Sequence, residues 1–127
     1  MTAMQVLCIT GAIEVALFTL LLVCAPYMLW CDYLCVMTLK RQRDNKSGGG
    51  LSKAALTLGT FILIRGYLLD CFCNVLHMTI ALRELPQELT VTKRLRRHIE
   101  SGTEHAAFCL SIRTQLLDGF DPAGIHR

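Results

Sequence analysis

The stretch IRGYLLDCFCNVLH, residues 64–77, places an arginine, an aspartate and a histidine inside an otherwise apolar run. It lies within an apolar block, Ala54–Leu82, and a second block, Val6–Leu39, precedes it. Each block exceeds the roughly 20 residues that a membrane-spanning helix needs. Hydrophobic residues make up 53% of the 127-residue chain and charged residues only 18%, against about 25% charged residues in soluble domains. The sequence therefore predicts an all-α membrane protein.

The two blocks divide the chain into four parts. Residues 1–39 are predicted as an N-terminal transmembrane helix and 40–53 as a basic, glycine-rich loop. Residues 54–85 are predicted as a second transmembrane helix and 86–127 as a basic amphipathic tail. We expect a two-helix transmembrane hairpin followed by a C-terminal pair of short amphipathic helices, the first of which ends at Gly102.

Basic residues on both sides of the second block leave its topology open. Short loops rich in Lys and Arg stay on the cytoplasmic side, which favours a cytoplasmic loop and an outward N-terminus. The basic residues of the tail follow the second block closely, so two full crossings put one basic segment on the disfavoured side. The length of the second block favours two crossings, hence a multi-pass protein with both termini outside. A re-entrant second block and an inverted hairpin are the alternatives.

A polar stripe runs along the second block. At 100° per residue, Asp70, Asn74 and His77 share one face. We expect this face to meet protein or water, because a charge that faces lipid costs at least ~2.5–3.5 kcal/mol. Contact between helices is the simplest role. A proton or ion path along the stripe, and a metal site at Asp70, Cys73 and His77, are alternatives.

The first block carries an acid near each edge. Glu14 and Asp32 are eighteen residues apart, which puts them on one helix face about 27 Å apart. Counting from the loop brings Asp32 to the depth of Arg65 and Glu14 to that of His77. We therefore predict two interhelical pairs, Asp32–Arg65 and Glu14–His77. A membrane span tolerates Pro26 where a neighbour satisfies the carbonyl that the proline frees.

The tail carries a basic face formed by Lys93, Arg94, Arg96 and Arg97. Beside a membrane span, such a face binds anionic lipid head groups at about 1 kcal/mol per cation. The run is too short and too poor in aromatic residues to favour nucleic acid as a partner. The seven cysteines show neither metal-site nor disulfide spacing. No catalytic array or phosphate-binding loop appears, so we expect no enzyme, no cofactor and no metal site.

Three segments from the second block onward resemble a known family: LLDCFCNVLHMTIALRELPQE from Leu68, LTVTKRLRRHI from Leu89 and LLDGFDPAGIH from Leu116. They are similar to an Asn-containing span with a RELP-type exit, a T-x-R-L-x-R-H stretch and a D-x-FDPxG-x-H close. These features mark small membrane proteins of tailed phages and prophages of Gram-negative bacteria. The resemblance covers roughly residues 65–127 and implies a phage origin and an inner-membrane location, but no mechanism. This chain ends His126-Arg127, where members often end His-Cys.

Small membrane proteins of this type suggest three functions. The first is a non-enzymatic accessory protein that binds a membrane-protein partner or forms a homo-oligomer at the inner membrane. The second is a holin-like lysis protein that oligomerises into membrane holes, and the third is a small ion conductor. The amphipathic tail and the polar stripe favour the accessory protein, which is our prediction.

Overall fold

Helices form the architecture of the protein, as the sequence predicts. The computed structural model describes residues 2–45 and 50–121, and these residues include no strand. The helices are α1 (Ala3–Asp44), α2 (Lys53–Val75), α3 (His77–Leu82), α4 (Val91–Glu100) and α5 (Ala106–Ile112). A π-helical turn, Arg113–Leu117, and a 3-10 turn, Asp118–Phe120, continue α5.

Local sequence signals account for several helix ends. The Ser52 side chain caps α2 by accepting a hydrogen bond from the N–H of Ala55 at 3.2 Å, which satisfies one of the free N–H groups of the first turn. Gly102 follows α4 with a φ of 59°. This left-handed conformation lets the N–H of Thr103 reach the His98 carbonyl at 3.3 Å, the pattern of a Schellman motif. The predicted stop at Gly102 is therefore confirmed.

Two predicted boundaries differ from the structure. Helix α1 continues five residues beyond the predicted end at 39, and two arginines in its last turn interact favourably with the helix dipole. The predicted helix 54–85 is interrupted at Leu76 and ends at Leu82. Arg83 then turns the chain with a positive φ of 52°. This turn directs the following segment back towards α2.

Helices α1 and α2 form an antiparallel hairpin with a close seam. Small residues recur every seven positions on the face that α2 presents to α1: Gly59, Gly66 and Cys73. A Cβ atom added at Gly59 would lie 2.9 Å from Cδ1 of Leu39, and one at Gly66 would lie 3.3 Å from Cβ of Asp32. This seven-residue repeat is the periodicity of coiled-coil packing, and small residues let the two backbones approach.

The tail folds back against the hairpin. The predicted pair of short C-terminal helices is present as α4 and α5, which pack on each other and on α3. Their shared core consists of Met78, Leu82, Leu95 and Cys109. The segment that follows α5 then lies along α1.

Two helical segments are long and apolar enough to cross a membrane, namely α1 and the stretch Lys53–Leu82 that α2 and α3 share. The first half of α1 differs from the rest of the fold, because residues 3–21 are exposed throughout except for the half-buried Gly11. Thus α1 extends well beyond the region that it shares with the other helices.

Candidate functional site

The structure brings Asp32 and Arg65 together. Nε of Arg65 donates to Oδ2 of Asp32 at 3.0 Å, and Nη2 donates to Oδ1. The carboxylate is 2% exposed, whereas 58% of the arginine side chain is exposed. Gly66 leaves room for Asp32 to enter the seam between α1 and α2. The arginine therefore reaches around the edge of α2 to neutralise a buried acid.

His77 caps the backbone carbonyl that Pro26 leaves unsatisfied. Nε2 of His77 lies 2.6 Å from the carbonyl oxygen of Leu22, and a carbonyl only accepts, so Nε2 carries the hydrogen. Leu22 is four residues before Pro26, which lies inside α1 and lacks the N–H that would bind this oxygen. A side chain of α3 thus replaces the missing donor in α1, which is the condition under which a span tolerates a proline.

The predicted Glu14–His77 pair is wrong. His77 lies beside Leu22, which is eight residues and about 12 Å along the helix from Glu14. The same antiparallel register places Gly66 beside Asp32 and Gly59 beside Leu39. Depth counted from the loop ends missed this register by several residues, because α1 extends beyond the predicted start of the loop. Glu14 instead lies in the exposed first half of α1.

Arg94 of α4 is the centre of the tail's contacts and is fully buried. Its Nη1 donates to the Asn74 carbonyl at 3.0 Å and to Thr79 Oγ1 at 3.4 Å, and its Nη2 donates to the Glu84 carbonyl. Its Nε lies 3.5 Å from Oε1 of Glu84. The buried Asn74 side chain in turn donates to the Glu88 carbonyl. One guanidinium group therefore ties α2, α3, the connecting segment and α4 together.

Arg97 and His98 extend this network on the next turn of α4. Arg97 donates to the carboxylates of both Glu84 and Glu88. Nε2 of His98 lies 2.9 Å from Oε1 of Glu84, and its Nδ1 lies 2.7 Å from Oγ1 of Thr103. Burial raises the pKa of the Glu84 carboxyl, but hydrogen bonds from Arg97 and His98 outweigh it and hold this pKa below its ordinary value.

We call these residues the Arg94 cluster: Asn74, Glu84, Glu88, Arg94, Arg97 and His98. The periodicity of the second block places Asn74 and Glu84 on its polar face, but the sequence analysis did not connect them with Glu88, Arg94 or His98. The signal was the four-residue spacing of two acids ahead of a basic helix, which allows one arginine to bridge both carboxylates. The hydrogen bonds and ion pairs of the cluster join α2, the connecting segment and α4, so they hold the tail in place.

The predicted basic membrane-facing surface is wrong for Arg94, which is buried. Arg97 is also engaged, in ion pairs with two glutamates, and Arg96 is half-buried with polar contacts of its own. Lys93 is the member of the predicted set that is exposed. The error has a physical cause, because helical periodicity groups residues by face but does not say whether a basic face meets water or partner acids.

The predicted polar stripe meets two different partners. Asp70 accepts a hydrogen bond from the N–H of Val91 at 2.9 Å, so Asp70 and Asn74 face the tail, whereas His77 faces α1. The structure does not support the alternative of a metal site at Asp70, Cys73 and His77. In the described ranges, no three metal-ligating side chains converge.

The segment after α5 is bound by side chains of α1. Three donors of α1 reach carbonyls of this segment, pairing Trp30 with Leu116, Tyr33 with Leu117 and Arg41 with Phe120 at 3.3, 3.0 and 2.7 Å. The π-helical and 3-10 turns expose these carbonyls because the regular bonding pattern ends there. The sequence signal for this contact was the presence of Trp30 and Tyr33 within an apolar block, because each carries one polar group that needs a hydrogen-bond partner when buried.

The cysteines are all free thiols in the structure. Cys73 lies in the α1–α2 seam and Cys109 in the tail core, where both are buried. Burial raises the pKa of the Cys109 thiol, which lowers its fraction of reactive thiolate. These two cysteines therefore act as small apolar side chains.

Comparisons with known proteins add no assignment to this geometry. No protein-family model matches the chain, and neither the curated proteins nor the solved structures include a match to it. The resemblance to small phage membrane proteins stays a prediction. Part of the motif that closes the chain, residues 122–127, lies outside the described residues.

Proposed function

We propose that this protein is a non-enzymatic accessory protein of the bacterial inner membrane, of phage or prophage type, which binds a membrane-protein partner. One observation carries the proposal: α2 presents a row of exposed large apolar side chains beside a tail that polar contacts hold in place. The row consists of Phe61, Ile64, Leu68 and Val75, which lie within about 60° of one another around the helix and are each 54–66% exposed. Contiguous exposed apolar surface of this kind marks protein or membrane contacts.

The buried polar side chains support this proposal because their hydrogen bonds and ion pairs are made within the chain. The Arg94 cluster and the Asp32–Arg65 pair bind groups within the chain, so they serve to fix the fold. What remains for a partner is the apolar row of α2 together with exposed charges such as Lys93, Arg43 and Lys53. These cations suit anionic lipid head groups at the membrane surface, and no feature of the site favours nucleic acid.

Photo-crosslinking in living cells tests the proposal. A photoreactive amino acid replaces Phe61 in the apolar row, and a matched variant carries it at Gln115, which is exposed on the tail. The full chain is induced in a Gram-negative host that also contains a cytosolic phage endolysin. We expect the Phe61 position to crosslink to one defined membrane protein, the Gln115 position to give no such product, and the host to remain intact.

Two outcomes contradict the proposal. Abrupt lysis on induction, with release of the endolysin, would assign the protein to the holin-like alternative. Crosslinks from Phe61 to a second copy of the chain alone would mean that the apolar row serves self-assembly and not a separate partner. Both outcomes are measured in the same cells, by optical density and by the mass of the crosslinked product.

A further inference from the structure

We propose that the chain crosses the membrane once, through residues 3–21 of α1, and that the rest of α1 with α2–α5 forms a helical head on the side of the basic loop. The proposal deepens the proposed membrane function and rests on it. In place of the predicted two-span hairpin, a single helix contacts the hydrocarbon core of the bilayer.

The length of the free part of α1 matches a bilayer. Side chains from residue 3 to residue 21 are exposed, apart from half-buried Gly11. Among the described residues, Leu22 is the first in α1 that binds a side chain of another helix. Nineteen residues of α-helix are about 28 Å long, close to the ~30 Å of the hydrocarbon core. The fold therefore leaves a bilayer length of α1 without contacts to the other helices.

The tail lies beside the whole remaining length of the hairpin. At one end Arg94 binds Asn74, which belongs to the part of α2 near Leu22 of α1. At the other end Nη2 of Arg41 donates to the Phe120 carbonyl at 2.7 Å. Any bilayer placed around α2 would therefore surround α4 and α5 as well.

The surface of the tail, together with Arg65 of α2, is unsuited to hydrocarbon. Exposed charged residues of this region include Arg65, Lys93, Glu100 and Glu104, and exposed polar residues include Ser111, Thr114 and Gln115. Each charge that faces lipid near the bilayer centre costs at least about 2.5–3.5 kcal/mol. The single span contains one acidic or basic residue, Glu14. The single span places one charge in the hydrocarbon core, whereas a bilayer around α2 and the tail would face several charges, so the single span is favoured.

The distribution of basic residues agrees with this topology. No Lys or Arg precedes Lys40, whereas all thirteen basic residues of the chain lie between Lys40 and the C-terminus. With one crossing, the loop and the tail both lie on the cytoplasmic side, as short basic segments prefer. The conflict between the two basic segments, which any two-span arrangement contains, disappears.

A matched pair of arginine substitutions tests the topology in the full chain. Val15 lies in the free part of α1 and Leu63 in α2, and the two side chains are 67% and 55% exposed. Arg at the centre of a span shifts the insertion equilibrium about a hundredfold. We therefore expect Val15→Arg to lower the membrane-inserted fraction, measured after an alkaline wash, and Leu63→Arg to leave it unchanged. A similar loss for both variants would overturn the single span.

The position of the C-terminus provides a second measurement. We expect a fluorescent protein fused after Arg127 to be fluorescent, and alkaline phosphatase fused there to be inactive, because the head is cytoplasmic. Active phosphatase at this position would establish a second crossing and overturn the inference while leaving the proposed membrane function intact. Release of the unmodified chain by the alkaline wash would instead refute the membrane function itself.

Discussion

The contact between His77 and the carbonyl freed by Pro26 predicts a specific energetic coupling. Replacing His77 with Phe keeps an aromatic ring beside Phe72, whose ring centroid lies 6.0 Å away, but removes the donor 2.6 Å from the Leu22 oxygen. A half-buried carbonyl left without a donor costs about 1–3 kcal/mol. We expect His77→Phe to lower the free energy of unfolding by that amount in the natural sequence.

The same substitution has a smaller effect when the helix satisfies its own carbonyl. Pro26→Ala restores the N–H that binds the Leu22 oxygen and by itself stabilises a helix interior by up to about 3 kcal/mol. In that background we expect His77→Phe to cost less than about 0.5 kcal/mol, so the double-mutant cycle gives a coupling of at least about 0.5 kcal/mol. The assay is reversible unfolding in detergent micelles, followed by helical circular dichroism. Equal costs of His77→Phe in both backgrounds would show that the histidine does not replace the missing donor.

Three further predictions concern the seam and the Arg94 cluster. Arg94→Met removes the buried cation and leaves Glu84 and the bound carbonyls without this donor. We expect the free energy of unfolding to fall by about 3–5 kcal/mol. The control Lys93→Met, at an exposed position, should lower it by less than about 0.5 kcal/mol. Arg65→Ala leaves the buried Asp32 carboxylate without its cation and should lower the free energy of unfolding. Asp32→Ala leaves an arginine that reaches solvent and should cost less; equal and additive losses in the double mutant would refute the pair. The pKa of Glu84 is lowered in the folded state, so its contribution is present above its unfolded value of about 4.3 and is lost as the pH falls through the lower folded value. Acid titration followed by tryptophan fluorescence should show the tail detaching at a pH below the ordinary pKa of a glutamate carboxyl, and Glu84→Gln should remove this step.

Local patterns in the sequence predicted the elements of the fold because those patterns depend on neighbouring residues only. Apolar length predicted both long helices, and Gly102 predicted the end of α4. The Asp32–Arg65 contact also followed from depth, because these two residues lie close to the register that Gly66 beside Asp32 defines. The Glu14–His77 pair lies several residues off the same register, because the count began at the predicted start of the loop and α1 continues beyond it.

The position of the tail was not predictable from periodicity. The burial of Arg94 depends on Glu84 and Glu88, which precede α4 in the chain and face it only because Arg83 adopts a left-handed turn. A positive φ at an arginine has no strong sequence signal, since glycine and asparagine are the usual residues there. The basic face was therefore assigned to lipid when it belongs in part to the protein's own acids.

The small extent of the apolar contacts explains why charged residues form the Arg94 cluster. The seam of α1 and α2 relies on glycines and a cysteine, which allow close approach but bury little apolar area. The tail core is small as well, being formed around Met78, Leu82, Leu95 and Cys109. Apolar contacts of this extent are not directional and do not by themselves select one orientation of α4. Hydrogen bonds from one buried guanidinium group to two carbonyls are directional, so the Arg94 cluster supplies the orientation that the small core does not.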